Sequence, residues 1–226
     1  MSLFAIADLH LSIGVNKPMD IFGGWKDYQI RLLKNWNDKI RPDDTVVIAG
    51  DICWAITTEQ GIPDFAFLHA LPGKKIILKG NHDYWFSTRT KVESFFTAQA
   101  FDSLSILYNN ALFYENYAIC GTRGWINESG EAPDRKVLRR EAGRLERSLQ
   151  AAGDKEPIVF LHYPPLFLEN RCEEILEVLH RFPVRRVYYG HLHGKSCNLA
   201  FNGIREGIEY HLISADFLRF DPVQVL

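Results

Sequence analysis

Five short apolar runs along this 226-residue chain each stop at residues able to hold a metal ion, and that recurrence constrains the fold most. Residues 3–7 end in Asp8-Leu9-His10, residues 45–49 in Gly50-Asp51, and residues 75–78 run through Lys79 into Gly80-Asn81-His82-Asp83. Residues 158–161 meet His162, and residues 187–189 meet Gly190-His191-Leu192-His193. Short runs of this kind, bounded by glycine or polar residues, read as buried strands. Strand C-termini in α/β folds converge on one crevice, so groups distant in sequence would meet there. A single Asp after a strand is usually a turn residue or helix cap, and a lone buried His is usually a hydrogen-bonded core residue. Five strand ends together, holding five of the eight histidines, are not explained that way.

Helical spacing lies between the runs. Residues 25–40 set Trp25, Tyr28, Leu32, Leu33, Trp36 and Ile40 three to four apart, and residues 135–151 set Leu138, Ala142, Leu145 and Leu149 on one stripe. Residues 173–182 make a third helix. Residues 111–121 and 204–214 read as antiparallel hairpins, turning near Glu115-Asn116 and Glu206-Gly207. Strands with helical crossovers, followed by hairpins, predict an α/β sandwich with mixed sheets. One domain over residues 1–226 is expected, because a single α/β domain reaches about 200–250 residues.

Composition narrows the partners. A net charge of −2 gives no global pull toward nucleic acid or anionic membrane, although bound cations can supply positive charge locally for a phosphate. The four cysteines, Cys53, Cys120, Cys172 and Cys197, lack C-x-x-C spacing and read as separate reduced thiols. No apolar run reaches the roughly 18 residues of a membrane span, and the opening MSLFAIADLH lacks the basic region of a secretory signal. Cytoplasm is the expected compartment.

The blocks Asp8-x-His10, Gly50-Asp51, Gly80-Asn81-His82-Asp83, His162 and Gly190-His191-x-His193 resemble, in content and order, those of the calcineurin-like metallophosphoesterase superfamily. The resemblance spans residues 8 to 193 and implies a four-layer αββα sandwich with two mixed β-sheets flanked by helices. It further implies that Asp8, His10, Asp51 and His193 hold one metal, and that Asp51, Asn81, His162 and His191 hold a second, with Asp51 bridging. A bridging carboxylate sets two cations about 3.5–4 Å apart, which clamps the attacking and leaving oxygens of an in-line displacement. Shared cations acidify a bridging water, so the implied reaction is hydrolysis of a phosphodiester or phosphomonoester by hydroxide at a binuclear centre. Imidazole, carboxylate and amide donors without thiolate suit Mn, Fe or Zn, with Mn²⁺ the working assignment. In the family pattern His82 takes no metal and is the general acid, or a phosphate contact, beside the site.

Two departures narrow the class. Gly50-Asp51 continues as Ile52-Cys53-Trp54-Ala55, without the Asp-Arg-Gly of the related protein phosphatases, and little chain follows the last block. A small phosphoester is therefore the expected substrate, and loops 11–24 and 121–133 the expected source of specificity. The first loop carries Lys17, Pro18 and two adjacent glycines; the second carries Arg123, Trp125 and Asn127. Arg123 and Asn81 are the candidate substrate contacts, Arg123 by bidentate pairing with a phosphate or else in an ordinary ion pair. Trp125 reads first as core. Asp83 reads as a support for the ligands around it. Lys136, Arg140 and Arg147 lie opposite the Leu138/Leu145/Leu149 stripe and read as a solvated face. They are the sole hint of the alternative enzyme reading, a nuclease acting on nucleic acid. A non-catalytic metal-binding scaffold is the alternative from another class, and the intact donor set speaks against it.

Overall fold

Apolar runs of four to six residues are too short to bury a helical stripe but suit strands covered on both faces. A computed structural model describes residues 1–126 and 134–226 and turns these runs into two sheets. In chain order come β1 (Leu3–Ile6), α1 (Tyr28–Lys39), β2 (Thr45–Ala49), α2 (Ile62–Ala70), β3 (Lys74–Leu78), α3 (Arg89–Ala98) and β4 (Leu104–Leu107). Then follow β5 (Ala111–Tyr114), β6 (Tyr117–Thr122), α4 (Arg135–Gln150), β7 (Glu156–Leu161), β8 (Leu166–Phe167), β9 (Asn170–Arg171) and α5 (Glu173–Arg181). The chain closes with β10 (Arg186–Tyr189), a 3₁₀ segment (Gly194–Leu199), β11 (Gly203–Arg205), β12 (Ile208–Leu212) and β13 (Val223–Gln224).

One sheet runs β13-β1-β2-β3-β4, parallel except for β13; the other runs β11-β12-β10-β7-β6-β5, with β11 and β5 antiparallel at its edges. Alternation along the strands builds the layers. Phe4, Ile6, Val46 and Ile48 pack outward against Tyr28, Leu32 and Trp36 of α1 and Phe65 of α2. Leu3, Ala5, Val47 and Ala49 point the other way and meet Ile158, Phe160 and Tyr188 of the second sheet. Val159, Leu161 and Val187 then face Leu138 and Leu145 of α4 and Ile175 and Leu179 of α5. The result is the expected four-layer αββα sandwich with two mixed sheets.

The three expected helices and both hairpins form, with ends within three residues of those expected. The turn at Glu206-Gly207 has φ of 52° and 81°, a left-handed pair suited to a two-residue hairpin. Several elements, among them α2, α3, β4 and β13, lacked a sequence signal. Helix α2 is apolar almost all round and carries a proline in its first turn, so no stripe marks it. Helix α3 buries only Val92 and Phe96, and its start is fixed by the Thr88 side chain accepting the Lys91 N–H. Strands β4 and β13 are four and two residues long. Lys136, Arg140 and Arg147 are exposed on α4, as a solvated face requires. No helix among the described residues is long and apolar enough to cross a membrane.

Candidate metal centre

The loops that leave β1, β2, β3, β7 and β10 meet at one edge of the sandwich. Backbone hydrogen bonds tie them: Asp8 N–H donates to the Gly50 carbonyl, His10 N–H to that of Asp51, and Gly190 N–H to that of His162. Four candidate ligands sit in the left-handed region, Asp8 at φ 60°, His10 at 45°, Asp51 at 51° and His191 at 73°. Non-glycine residues hold such conformations only where the surroundings over-determine them, at about 1–3 kcal/mol each. Asp83, fully buried, supplies that determination at Asp51. Its carboxylate accepts N–H donors from Asp51 (2.9 Å), Ile52 (2.8 Å) and Gly80 (2.7 Å), and the Trp85 indole at 3.0 Å. Gly80 permits the close approach, since a Cβ there would lie 2.1 Å from Asp51 Oδ1.

Each candidate carboxylate spends one oxygen on the backbone. Asp8 Oδ2 accepts His191 N–H at 2.9 Å, and Asp51 Oδ1 accepts His82 N–H at 2.7 Å. The other oxygens face the imidazoles. Asp51 Oδ2 stands 3.7 Å from His10 Nε2 and 3.5 Å from His162 Nε2. His10 Nε2 lies 3.2 Å from His193 Nε2, which lies 3.9 Å from Asp8 Oδ1. On the other side Asn81 Oδ1 meets His162 Nε2 at 2.6 Å and His191 Nδ1 at 3.0 Å. The structure thus gathers all seven residues, and two groups, Asp8/His10/His193 and Asp8/Asp51/His162, bring their donor atoms within 4.8 Å of one another. His162 Nδ1 lies 3.1 Å from the Ala49 carbonyl, which favours the tautomer that leaves Nε2 with its lone pair.

These donors fit divalent cations. Asp8 Oδ1 is buried without a hydrogen-bond partner, and two imidazole nitrogens face each other across 3.2 Å. Burial raises the Asp8 carboxyl to about 7 and the Asp51 carboxyl to about 6, because charge is costly there. Burial likewise pulls His162 and His191 down to about 3 and holds His10 well below the usual imidazole value, so all three are neutral, the ligating form. A nearby cation would restore the carboxylates. His193 differs. Burial alone would lower it, but the Asp216 hydrogen bond and the charges of Asp8, Asp216 and Asp51 raise it to about 9.

His82 stands beside the donors. It is half-buried; its Nδ1 lies 3.3 Å from the Tyr84 hydroxyl and its ring 4.6 Å from that of Trp54. Burial lowers its pKa, with Asp51 opposing. Arg123 sits behind this edge. Its Nη2 is 3.8 Å from Oε1 of the buried Glu141, which also takes Arg144 and the Thr122 hydroxyl, while its carbonyl accepts the N–H groups of His162 and Tyr163. Trp125 packs partly buried against the second core, 5.2 Å from the Arg123 guanidinium. Asn127, and with it most of the expected 121–133 loop, lies outside the described residues. The 11–24 loop brings Met19, Phe22 and Gly23 to a cavity of about 360 Å³ beside His10 and His82.

Three side chains at the site went unread in the sequence. Asp216 holds His193 Nδ1 at 3.0 Å, Trp54 stacks on His10 with ring centroids 4.8 Å apart, and Trp25 meets His10 and His193 edge-on. Asp216 did carry a signal, since the run 208–213 ends in Ser214-Ala215-Asp216, again a strand stopping at polar residues. The tryptophans carried none.

Comparisons with known proteins bear on the family and the fold. The chain is 28% identical over 169 residues to the glycerophosphodiester phosphodiesterase GpdQ of Enterobacter lignolyticus (strain SCF1), a match covering 68% of this chain and 56% of that protein. The chain thus spans little more than half the length of that relative. Among solved structures, it is similar to the phosphopantetheinyl hydrolase of Mycobacterium tuberculosis, with a TM-score of 0.59 at 14% identity over 100% of this chain and 95% of the other. A protein of unknown function from Aquifex aeolicus gives a TM-score of 0.55 at 17% identity, over 99% and 95% of the two chains. At those identities the likeness speaks for the fold alone. Residues 1–195, which hold every donor described above, match the calcineurin-like phosphoesterase family, and the chain belongs to it.

Proposed function

We propose that residues 1–226 form one binuclear, metal-dependent phosphoesterase domain that hydrolyses small phosphodiesters, with phosphomonoesters as the alternative class. The position of Asp51 Oδ2, within 4 Å of an imidazole nitrogen from each donor cluster, carries this reading. In it Asp8, His10, Asp51 and His193 hold one cation, and Asp51, Asn81, His162 and His191 the other. The nitrogen and oxygen donors suit Mn²⁺, with Fe or Zn as alternatives. When bound, the cations would supply Lewis acidity toward the phosphoryl group and an acidified water as nucleophile.

The chain's own residues supply the rest. Asp83 and the backbone ladder fix the ligand loops before substrate arrives, so little reorganisation accompanies reaction. Trp54 and Trp25 hold the His10 ring, and Asp216 orients His193. His82 stands free of the donor sets with its ring toward the cavity, suited to giving a proton to the departing oxygen. Asn81 can reach a phosphate oxygen through its amide N–H while its carbonyl faces the histidines. Arg123 would have to leave Glu141 to do the same, so its contribution as placed is to fix the His162 loop through its carbonyl. Four buried, unpaired thiols support a reducing compartment such as the cytoplasm.

Similarity to a glycerophosphodiester phosphodiesterase favours diesters. The test is turnover of bis(p-nitrophenyl) phosphate against p-nitrophenyl phosphate by Mn²⁺-loaded protein. Diester turnover is expected; turnover of the monoester alone selects the alternative, and turnover of neither with Mn, Fe or Zn removes the reading.

A further inference from the structure

The cavity beside His82 has one apolar wall. Met19, Phe22, Trp25 and Trp54 face the imidazoles of His10, His82 and His193 across about 360 Å³, near the lower end of the range that holds small ligands, roughly 300–1,000 Å³. No carboxylate, hydroxyl, amide or guanidinium side chain is among the described residues lining it. Its walls are also fixed. Trp25 is 3% exposed and wedged against Tyr28 and Phe220, with ring centroids 5.4 and 5.1 Å away. Trp54 stacks on His10, and the Lys17 ammonium sits 3.2 Å from its ring centroid. Phe22 is the exception. It stands at the mouth with 53% of its surface in water, an apolar ring that a ligand in the cavity would cover.

Resting on the phosphoesterase reading above, we propose that the organic group of the substrate is an apolar ring, and that it packs against Phe22, Trp25 and Met19 while the phosphate lies at the donor cluster. A polyol in this cavity would find only the imidazoles of His10, His82 and His193 as hydrogen-bonding side chains among the described lining residues, two of them committed to the donor cluster, so most of its hydroxyls would leave water uncompensated. A ring loses nothing of that kind, gains by burial, and can meet Trp25 edge to face. Specificity on this view separates the chain from a glycerol-recognising enzyme, although both act on phosphoesters.

Phosphonates test this without a leaving group. Inhibition of p-nitrophenyl ester turnover by phenylphosphonate and methylphosphonate is compared in Mn²⁺-loaded protein, with glycerol 1-phosphate and inorganic phosphate alongside. Quenching of tryptophan fluorescence, to which Trp25 and Trp54 contribute among five tryptophans, gives an independent binding readout. Phenylphosphonate is expected to bind about ten- to a hundred-fold more tightly than methylphosphonate, the gain from burying one ring. Phe22→Ala should weaken phenylphosphonate about three- to ten-fold, and its exposed position separates that loss from misfolding. Equal affinity for the two phosphonates in the wild-type protein, or tighter binding of glycerol 1-phosphate than of phenylphosphonate, overturns the inference while phosphoester turnover stands. Absence of both turnover and phosphate binding overturns the phosphoesterase reading, and this inference with it.

Discussion

The imidazole of His193 is held by Asp216: Nδ1 lies 3.0 Å from Oδ1, while Oδ2 accepts the Gly194 N–H at 2.8 Å. The carboxylate thereby fixes both the ring and the backbone that follows it, and presents His193 Nε2 to Asp8 and His10. Partners of this kind raise the basicity of a ligating imidazole, and losing one costs about 10–100-fold in metal affinity.

Asp216→Asn should therefore lower Mn²⁺ affinity by that factor, read by titration calorimetry. In metal-free protein it should also drop the His193 pKa from about 9, because the carboxylate that opposes burial is gone. The sign of the linked stability follows. A folded pKa above the ordinary 6.5 stabilises the metal-free fold fully below that value, and the effect fades as pH rises through about 9. NMR titration of His193 distinguishes this from general loosening. An unchanged His193 titration together with unchanged Mn²⁺ affinity would remove Asp216 from the site.

Asp51 and His10 should differ in what they remove. Asp51 Oδ2 faces imidazoles of both clusters, whereas His10 faces only one. Asp51→Asn is expected to lose activity and lower occupancy of both cations, while His10→Ala mainly empties one. Elemental analysis of the purified proteins decides. Two cations retained in Asp51→Asn with full activity would sink the bridging role.

Much of this was legible in the sequence because strands mark themselves twice, by an apolar run and by the polar residue that ends it. Leu3, Ala5 and Val47 against Phe4, Ile6 and Val46 show why the layers followed as well, since period two with apolar residues at both phases requires cover on both faces. Helix α2 stayed hidden because IPDFAFLHA has no polar face to set a stripe. At the site, Asp216 obeys the same rule as the candidate ligands, but no resemblance points to it. Trp25 and Trp54 were unreadable for a different reason. Their contacts with His10 depend on how residues distant in the chain pack, and no local spacing encodes that.

His82 should behave as an acid and not as a ligand, since it meets Asp51 through its backbone N–H while its Nδ1 lies 3.3 Å from the Tyr84 hydroxyl. His82→Ala should keep both cations yet lose about 10²–10⁴-fold in kcat for a substrate with a poor alkoxide leaving group. The loss should shrink for p-nitrophenolate, which departs without a proton. Burial lowers the His82 pKa below 6.5, so its acid form is depleted as pH rises through that region. Wild-type turnover of the poor leaving group should fall with rising pH there, and the variant should lack that limb. Equal losses on both substrates would leave His82 as an electrostatic contact only.

Lys75 yields a prediction remote from the site. Its side chain is fully buried, and its ammonium donates to the carbonyls of Leu71 and Gly73, which the end of α2 and the following turn would otherwise leave unpaired, and to that of His69, which the Ser103 hydroxyl shares. Burial lowers its pKa from 10.5 to about 8. Below pH 8 both folded and unfolded chains carry the proton, and the folded chain bears the whole cost of the buried charge. Between about 8 and 10.5 only the unfolded chain stays protonated, so this contribution to stability rises with pH, by up to about 3 kcal/mol. Lys75→Met keeps most of the stem but orphans the Leu71 and Gly73 carbonyls, and should destabilise the fold by about 1–3 kcal/mol near pH 7. The gap between wild type and variant should then widen as pH is raised from 8 to 10, because only the wild type sheds a cost. Urea unfolding of both proteins at pH 7, 8.5 and 10 measures it. A gap that stays constant or narrows with pH would mean that the carbonyls hold the ammonium charged in the fold, and that burial does not govern its titration.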